Sequence, residues 1–322
     1  MIGLVCDLGG TNARLGLTVD GRLAPETLET YANDDFVDFP SVLSAYRTRH
    51  GGIGVDAVCV AMAAVPTTDG ARLTNRDWDI RRVDIADIFG TNDVHFLNDF
   101  EALGLSLLRA DELETQALFP GSPPAGAATR LVLGAGTGFN AAACFPPRIG
   151  PTPYVSAAEC GHMTLAVEGA DEMSLQQYLA RGRGRASNER ALSGRGLYEI
   201  YLWCCERNAR PAVLAGPGEV AAQAIAGGDA DASEAADCFL RFLGRVAGDL
   251  SLAFLPFGGI YLSGGVTRAV APLIASTATF IEAFRAKGRQ TELMASFPIS
   301  LLLDDRAALS GCAEWMRLAQ RA

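Results

Sequence analysis

Twice along this chain a short apolar run meets a glycine turn that carries a threonine, then reverses into a second apolar run. Ile2 to Cys6 and Arg14 to Val19 flank Gly9-Gly10-Thr11-Asn12, and Arg130 to Leu133 and Phe139 to Phe145 flank Gly134-Ala135-Gly136-Thr137-Gly138. Apolar, β-branched residues on either side of a glycine-rich turn predict a β-hairpin. Two such hairpins far apart in sequence demand two halves, and the shared Gly10-Thr11 and Gly136-Thr137 tips hint at an internal duplication. Length agrees, since 322 residues at about 150 per domain make two domains.

Between the hairpins, helical spacing runs from Asp35 to Arg49, buried strands are predicted over Val55 to Met62 and Val94 to Leu97, and a helix over Phe100 to Leu108. Pro120-Gly121-Ser122-Pro123-Pro124-Ala125-Gly126 reads as a loop, with a domain boundary between 108 and 128. Beyond the second hairpin, helices over 173–179, 196–206 and about 232–254 alternate with strands over 259–262 and 299–303, and a helix over 306–319 closes the chain. Alternation of this kind is an α/β chain. The division expected is a small α/β domain of residues 1–109 plus 305–322 and a large one of 110–304.

Several function classes fall away. Formal net charge is −10, and the 27 basic residues are scattered, so the electrostatic footprint of nucleic-acid binding is missing. The greasiest stretch, Leu250 to Leu262, is broken by Pro256, Gly258 and Gly259, so no membrane span is expected. The start, Met1-Ile2-Gly3-Leu4-Val5-Cys6-Asp7, has no basic region and reaches an acid at once, unlike a signal peptide. The eight cysteines never form a C-x-x-C pair and lie mostly in apolar segments, which predicts reduced, buried thiols in the cytoplasm rather than zinc or disulfides.

Glycine turns after strands bring backbone N–H groups close to an anion and so suit phosphates, although a plain hairpin needs no ligand. The basic residues are all arginine except Lys287, which excludes a lysine-dependent phosphate loop, and Gly134 to Gly138 is G-x-G-x-G rather than the dinucleotide fingerprint. What is left is a nucleotide held between two hairpins, with Asp7 organising magnesium through water and the Thr11 and Thr137 hydroxyls donating to phosphates. A third turn, Ser263-Gly264-Gly265, could admit the flat face of a nucleoside. At the end of the strand Val94 to Leu97, Asp99 stands where α/β folds place chemistry, though Asn98 or Asp99 could equally cap the following helix. His50 and His95 match no motif and are expected to be structural.

These segments, together with Leu97-Asn98-Asp99-Phe100, Glu159-Cys160-Gly161-His162, Glu189-Arg190-Ala191-Leu192-Ser193-Gly194 and Leu262-Ser263-Gly264-Gly265, resemble the bacterial glucokinase family in order from residue 3 to about 316. The resemblance implies an actin-like/hexokinase (ribonuclease H-like) fold with a ligand cleft between two domains that close around glucose and MgATP, cytoplasmic residence and a homodimer. The related repressor and sugar-kinase group is distinguished by a cysteine-rich zinc motif after E-x-G-H, and here no cysteine follows His162 until Cys204.

Carried over residue by residue, the resemblance makes Asp99 the general base and Asn98, Asp99, Glu159, His162 and Glu189 the sugar contacts. ATP falls to Asp7, Gly9, Gly10, Thr11, Asn12, Gly136, Thr137, Gly138, Gly264 and Gly265, with Asp7 also facing Mg2+ through water. The chemistry is consistent, since carboxylates grip adjacent sugar hydroxyls by accepting paired hydrogen bonds. Read singly, His162 is more often structural and Glu189 suits a helix's first turn. Departures from the family pattern are Cys160 inside E-x-G-H, Asn140 where glycine is common, Ala63-Ala64-Val65-Pro66 and Asp304-Asp305-Arg306. Cys160 beside a sugar would also be a point where oxidation blocks binding. The alternatives weighed are a kinase of the same fold acting on another hexose, a non-catalytic sugar sensor and an actin-like filament protein.

Overall fold

A computed structural model describes residues 1–73, 76–123, 126–147 and 152–320; Pro124 and Ala125 of the predicted loop lie outside them. In chain order the first elements are strands β1 (Ile2–Leu8), β2 (Asn12–Val19), β3 (Arg22–Leu23) and β4 (Glu29–Ala32), helix α1 (Phe39–Arg49), and strands β5 (Ala57–Met62), β6 (Gly70–Arg72) and β7 (Asp79–Arg81). Next come α2 (Arg82–Phe89), β8 (Val94–Asn98), α3 (Asp99–Ser106), β9 (Thr115–Phe119), β10 (Arg130–Ala135), β11 (Phe139–Phe145) and β12 (Tyr154–Val155). Helices α4 (Gly169–Ala180), α5 (Asn188–Ala191), α6 (Gly194–Arg207), α7 (Pro217–Ala226) and α8 (Ala230–Phe254) precede β13 (Ile260–Ser263), α9 (Gly265–Ser276), α10 (Thr279–Arg285), α11 (Thr291–Met294), β14 (Ile299–Leu302) and α12 (Ala307–Ala319).

These elements form two compact units, Met1–Leu113 with Pro147–Ala157 and Asp304–Ala322, and Glu114–Pro146 with Ala158–Leu303. In the first, the sheet runs β3-β2-β1-β5-β8, with β4 also on β2. β1 is antiparallel to β2 but parallel to β5, and β5 is parallel to β8. Parallel central strands are buried on both faces. One face packs on α1 and α2 through Leu4, Leu8, Val58, Val60, Phe39 and Ile85; the other meets α12, which also packs on α3.

The second unit repeats that plan. β10 is antiparallel to β11 and parallel to β13, β13 is parallel to β14, and β9 adds antiparallel at the edge. A hairpin followed by two parallel strands thus occurs in both sheets, the structural counterpart of the repeated Gly-Thr tips. The core of this unit is α8, whose buried Phe239, Phe242, Leu243 and Leu250 pack among α6, α7 and α10.

Some boundaries differ from expectation for local reasons. The helix expected from Asp35 begins at Phe39, because Asp38 accepts from Ser41 N in a capping box and Pro40 occupies the first turn, while Asn33–Asp35 form a separate 3₁₀ turn. The helix after Asp99 ends at Ser106 and continues as a 3₁₀ segment, Leu107–Glu112. All eight cysteines are buried free thiols.

Candidate active site

The first unit gathers its candidate residues at one sheet edge. Leu8, Met62 and Asn98 stand level on β1, β5 and β8, so Gly9 and Asp99 begin just past the carboxyl ends of three adjacent parallel strands, and Asp7 lies one residue before. Ligands of α/β sheets bind outside those ends. The Gly9-Gly10-Thr11 turn is held from below: Gly9 N donates to Asn12 O (3.0 Å), Asn33 Nδ2 to Gly9 O (2.9 Å) and Asn33 N to Thr11 O (2.8 Å). The Thr11 side chain is left exposed above it.

Asp7 faces Arg14 across the hairpin, where Arg14 Nη1 donates to its Oδ2 at 3.2 Å. Only 17% of the Asp7 side chain is exposed, and burial pushes its pKa up against the pull of the guanidinium. A carboxyl whose folded pKa exceeds its unfolded one lends stability that is complete at low pH and is lost as pH rises through the folded value. Asp7→Asn, which never ionises, is therefore expected to melt above the parent near neutral pH, with the gap closing as pH falls toward about 4. Melting curves at constant ionic strength check this; a lower midpoint for the variant at neutral pH contradicts it.

Asn98 is the N-cap of α3. Its Oδ1 accepts from Phe100 N (3.0 Å), its Nδ2 donates to Ala64 O (3.1 Å), and its N–H donates to Glu101 Oε2 (3.3 Å). The departing segment Ala63 to Pro66 thus reaches the site through the Ala64 carbonyl. A carboxamide has two N–H groups, so one on Asn98 is not used by these contacts. Burial pushes the pKa of Glu101 up. Asp99 opens the helix, half-buried, with Oδ1 accepting from Phe100 N at 2.9 Å.

In the second unit the loop joining β10 and β11 is closed by Gly136 N donating to Gly138 O (2.8 Å), and Gly194 N at the start of α6 donates to Gly136 O (2.9 Å). The Ser263-Gly264-Gly265 turn comes against it. Gly264 has φ +94°, and a β-carbon there would lie 2.3 Å from Ala135 O. Thr267 Oγ1 accepts from Ala135 N at 3.1 Å, fixing the two turns together. Thr137 and Gly265 are exposed on top.

Glu189 comes in beside this loop. Its Oε2 accepts from Phe139 N at 3.1 Å, and a β-carbon on Gly138 would stand 2.5 Å from that oxygen, so only glycine leaves the carboxylate its place. Glu159 precedes the 3₁₀ turn Cys160–His162, with His162 Nε2 3.8 Å from its Oε2 and both side chains exposed. Structure therefore brings Glu159, His162 and Glu189 together with Gly136 to Gly138, Gly264 and Gly265 in one unit, and Asp7, Gly9 to Asn12, Asn98 and Asp99 together in the other.

Sequence reasoning missed the asparagines that hold these loops, Asn33, Asn140 and Asn188, and treated Asn140 only as a departure. All three are buried polar residues beside glycine turns or candidate acids, which is the one signal that marks them. Cys160 is buried, and burial together with the Glu159 charge pushes its thiol pKa up, which slows the thiolate chemistry that oxidation requires. His50 bonds to Glu29 (3.1 Å) and stacks on Tyr46, while His95 lies against Trp315 and Asp93, so both histidines have structural partners.

The family model described as glucokinase matches residues 4–319. The chain belongs to the glucokinase family. Among relatives, the glucokinase of Chelativorans sp. (strain BNC1) is 32% identical over 318 residues, covering 99% of this chain and 92% of that protein. A glucokinase structure from an Antarctic psychrotroph superposes with a TM-score of 0.83 at 25% identity, covering 98% of both chains. A Balamuthia mandrillaris glucokinase in complex with glucose, 21% identical, shares the fold with a TM-score of 0.81, covering 99% of this chain and 93% of that one. The actin-like/hexokinase α/β fold expected of the family is thus the fold found. Among the described residues no helix is long and apolar enough to cross a membrane.

Proposed function

We infer that this glucokinase-family protein transfers the γ-phosphoryl group of ATP to the terminal hydroxyl of glucose, giving glucose 6-phosphate and ADP. The observation that carries most weight is the Glu189 carboxylate, held on Phe139 N directly beside the Gly136 to Gly138 turn, so that a hydroxyl-gripping acid and a phosphate-cradling loop are fixed to each other. Asn98, Asp99, Glu159, His162 and Glu189 bind the sugar hydroxyls. Gly9, Gly10, Thr11, Asn12, Gly136, Thr137, Gly138, Gly264 and Gly265 bind the nucleotide, the Thr11 and Thr137 hydroxyls donating to phosphate oxygens while the Gly9 and Gly136 N–H groups close the turns that present them. Asp99 accepts the hydroxyl proton as the sugar oxygen attacks the γ-phosphorus and the bond to the ADP oxygen breaks.

Among the described residues no cluster of three or more acids, histidines or cysteines is gathered to cage a metal. Magnesium needs none, because it is ordinarily held by one or two carboxylates, water and substrate phosphates. Asp7 fits that role, since a mostly buried carboxylate only partly offset by Arg14 gains from a nearby cation. When bound, the ion would neutralise phosphate charge. The same reading gives cytoplasmic residence, in keeping with eight unpaired thiols, and the homodimer that the family resemblance implies.

The test is ADP release from MgATP, coupled to a glucose 6-phosphate reporter, across glucose, mannose, fructose and glucosamine. Turnover is expected to be highest with glucose. Turnover restricted to another hexose would keep the chemistry and move the substrate, and glucose binding with no turnover for any sugar would favour a sensor.

A further inference from the structure

We propose that Asn140 is a positioning residue that presets Glu159 for the sugar, an inference that rests on Glu159 being a sugar contact. The Asn140 side chain is buried at the start of β11 and makes three hydrogen bonds. Its Oδ1 accepts from Cys160 N (3.0 Å) and from Ala141 N (2.9 Å), and its Nδ2 donates to Ala158 O (2.6 Å). Ala158 and Cys160 are the residues on either side of Glu159, so one carboxamide bonds to both flanks of the acid.

That grip has something to oppose. Glu159 has φ −125° and ψ 53°, away from helix and strand, and its side chain is 44% exposed, so packing does little to fix it. Asn188 completes the suspension from the other side: its Nδ2 donates to Cys160 O (3.1 Å) and its N–H to Met163 O (2.9 Å). The peptide N–H and the carbonyl of Cys160 are thus each taken by an asparagine side chain, one on β11 and one on α5.

The neighbours of those asparagines tie the two candidate sugar acids to one frame. Glu189 follows Asn188 and accepts from Phe139 N, and Phe139 precedes Asn140. The spacing between the Glu159 backbone and the Glu189 carboxylate is therefore set by β11 before any sugar arrives. A glycine at 140 could make none of these side-chain bonds.

A double-mutant cycle on the full-length protein tests the proposal. Asn140→Ala is expected to raise the KM for glucose by about tenfold to a hundredfold, the usual cost of a misplaced contact, with the KM for ATP held within about twofold. In a Glu159→Gln background, already weakened for glucose, Asn140→Ala should add less than about a further twofold. An equal penalty in both backgrounds, or a matching rise in the KM for ATP, would overturn the proposal by showing that Asn140 supports the unit generally. If Glu159→Gln alone leaves glucose affinity unchanged, the assignment of Glu159 fails, and the inference fails with it for that separate reason. Should Asn140→Ala not fold, Asn140→Asp runs the same cycle, since it keeps the Oδ1 acceptor and sets a second acceptor oxygen, in place of the donor, against Ala158 O.

Discussion

Asp99→Asn is expected to lower kcat by about 10²- to 10⁴-fold, the range removed when a positioned general base is lost, while glucose affinity changes only a few-fold. Asparagine is the informative replacement because the oxygen that accepts from Phe100 N at 2.9 Å is retained, and with it the start of α3. Shape and cap are kept; only the capacity to take a proton is lost. Initial rates with saturating MgATP, set beside calorimetric glucose binding, separate the two effects. A variant within tenfold of the parent kcat would remove Asp99 from the base role, and one that no longer binds glucose would make it mainly a sugar ligand.

Gly264→Ala should have the second large effect, of a different kind. The added carbon would stand 2.3 Å from Ala135 O, a backbone atom that cannot swing aside, at a φ of +94° that side chains avoid. Strain of that sort costs about 1–3 kcal/mol and forced overpacking a similar amount, so a total of roughly 2–6 kcal/mol is expected. The melting temperature should fall by several degrees, and ATP binding should weaken as the 263–265 turn moves off the β10 loop. Gly265→Ala is the matched comparison. Its β-carbon meets nothing within 4 Å, so stability should change by less than about 0.5 kcal/mol. Equal melting temperatures for the two variants would show that the turns are not packed as described.

Much of this site is legible in the residues because its parts are local. Strand, glycine turn and strand announce themselves within about fifteen residues, and Asn98-Asp99 sits where the short strand Val94 to Leu97 gives way to helical spacing. The asparagine contacts are not local. Asn140 reaches Cys160 and Ala158, and Asn33 reaches back to Gly9, through single hydrogen bonds that leave no periodicity behind. Edge strands escaped for a related reason: β4, Glu-Thr-Tyr-Ala, and β9, Thr-Gln-Ala-Leu-Phe, are too polar to stand out and are strands because partners elsewhere in the chain supply their hydrogen bonds. Helix α9 starts on a glycine and contains Pro272, two features that argue against a helix until Val270 and Ile274 find a core. In contrast, the Asp38 cap and Pro40 were present as signals, and the helix assigned from Asp35 shows apolar spacing outweighing them.

Helix α12 has a consequence for synthesis. The sheet of the first unit is complete by Asn98, yet one of its faces is closed by residues 307–319, which pack on β1, β5 and α3 only after the whole of 114–303 has been made. On the ribosome, that face of the nascent sheet, with Val5, Cys59 and Ala61 along it, waits uncovered while the second unit is translated and free to fold. The later unit should therefore acquire native structure first, and a stall or truncation before residue 307 would release an intact second unit joined to an N-terminal half with an apolar sheet face in water, a natural target for chaperones.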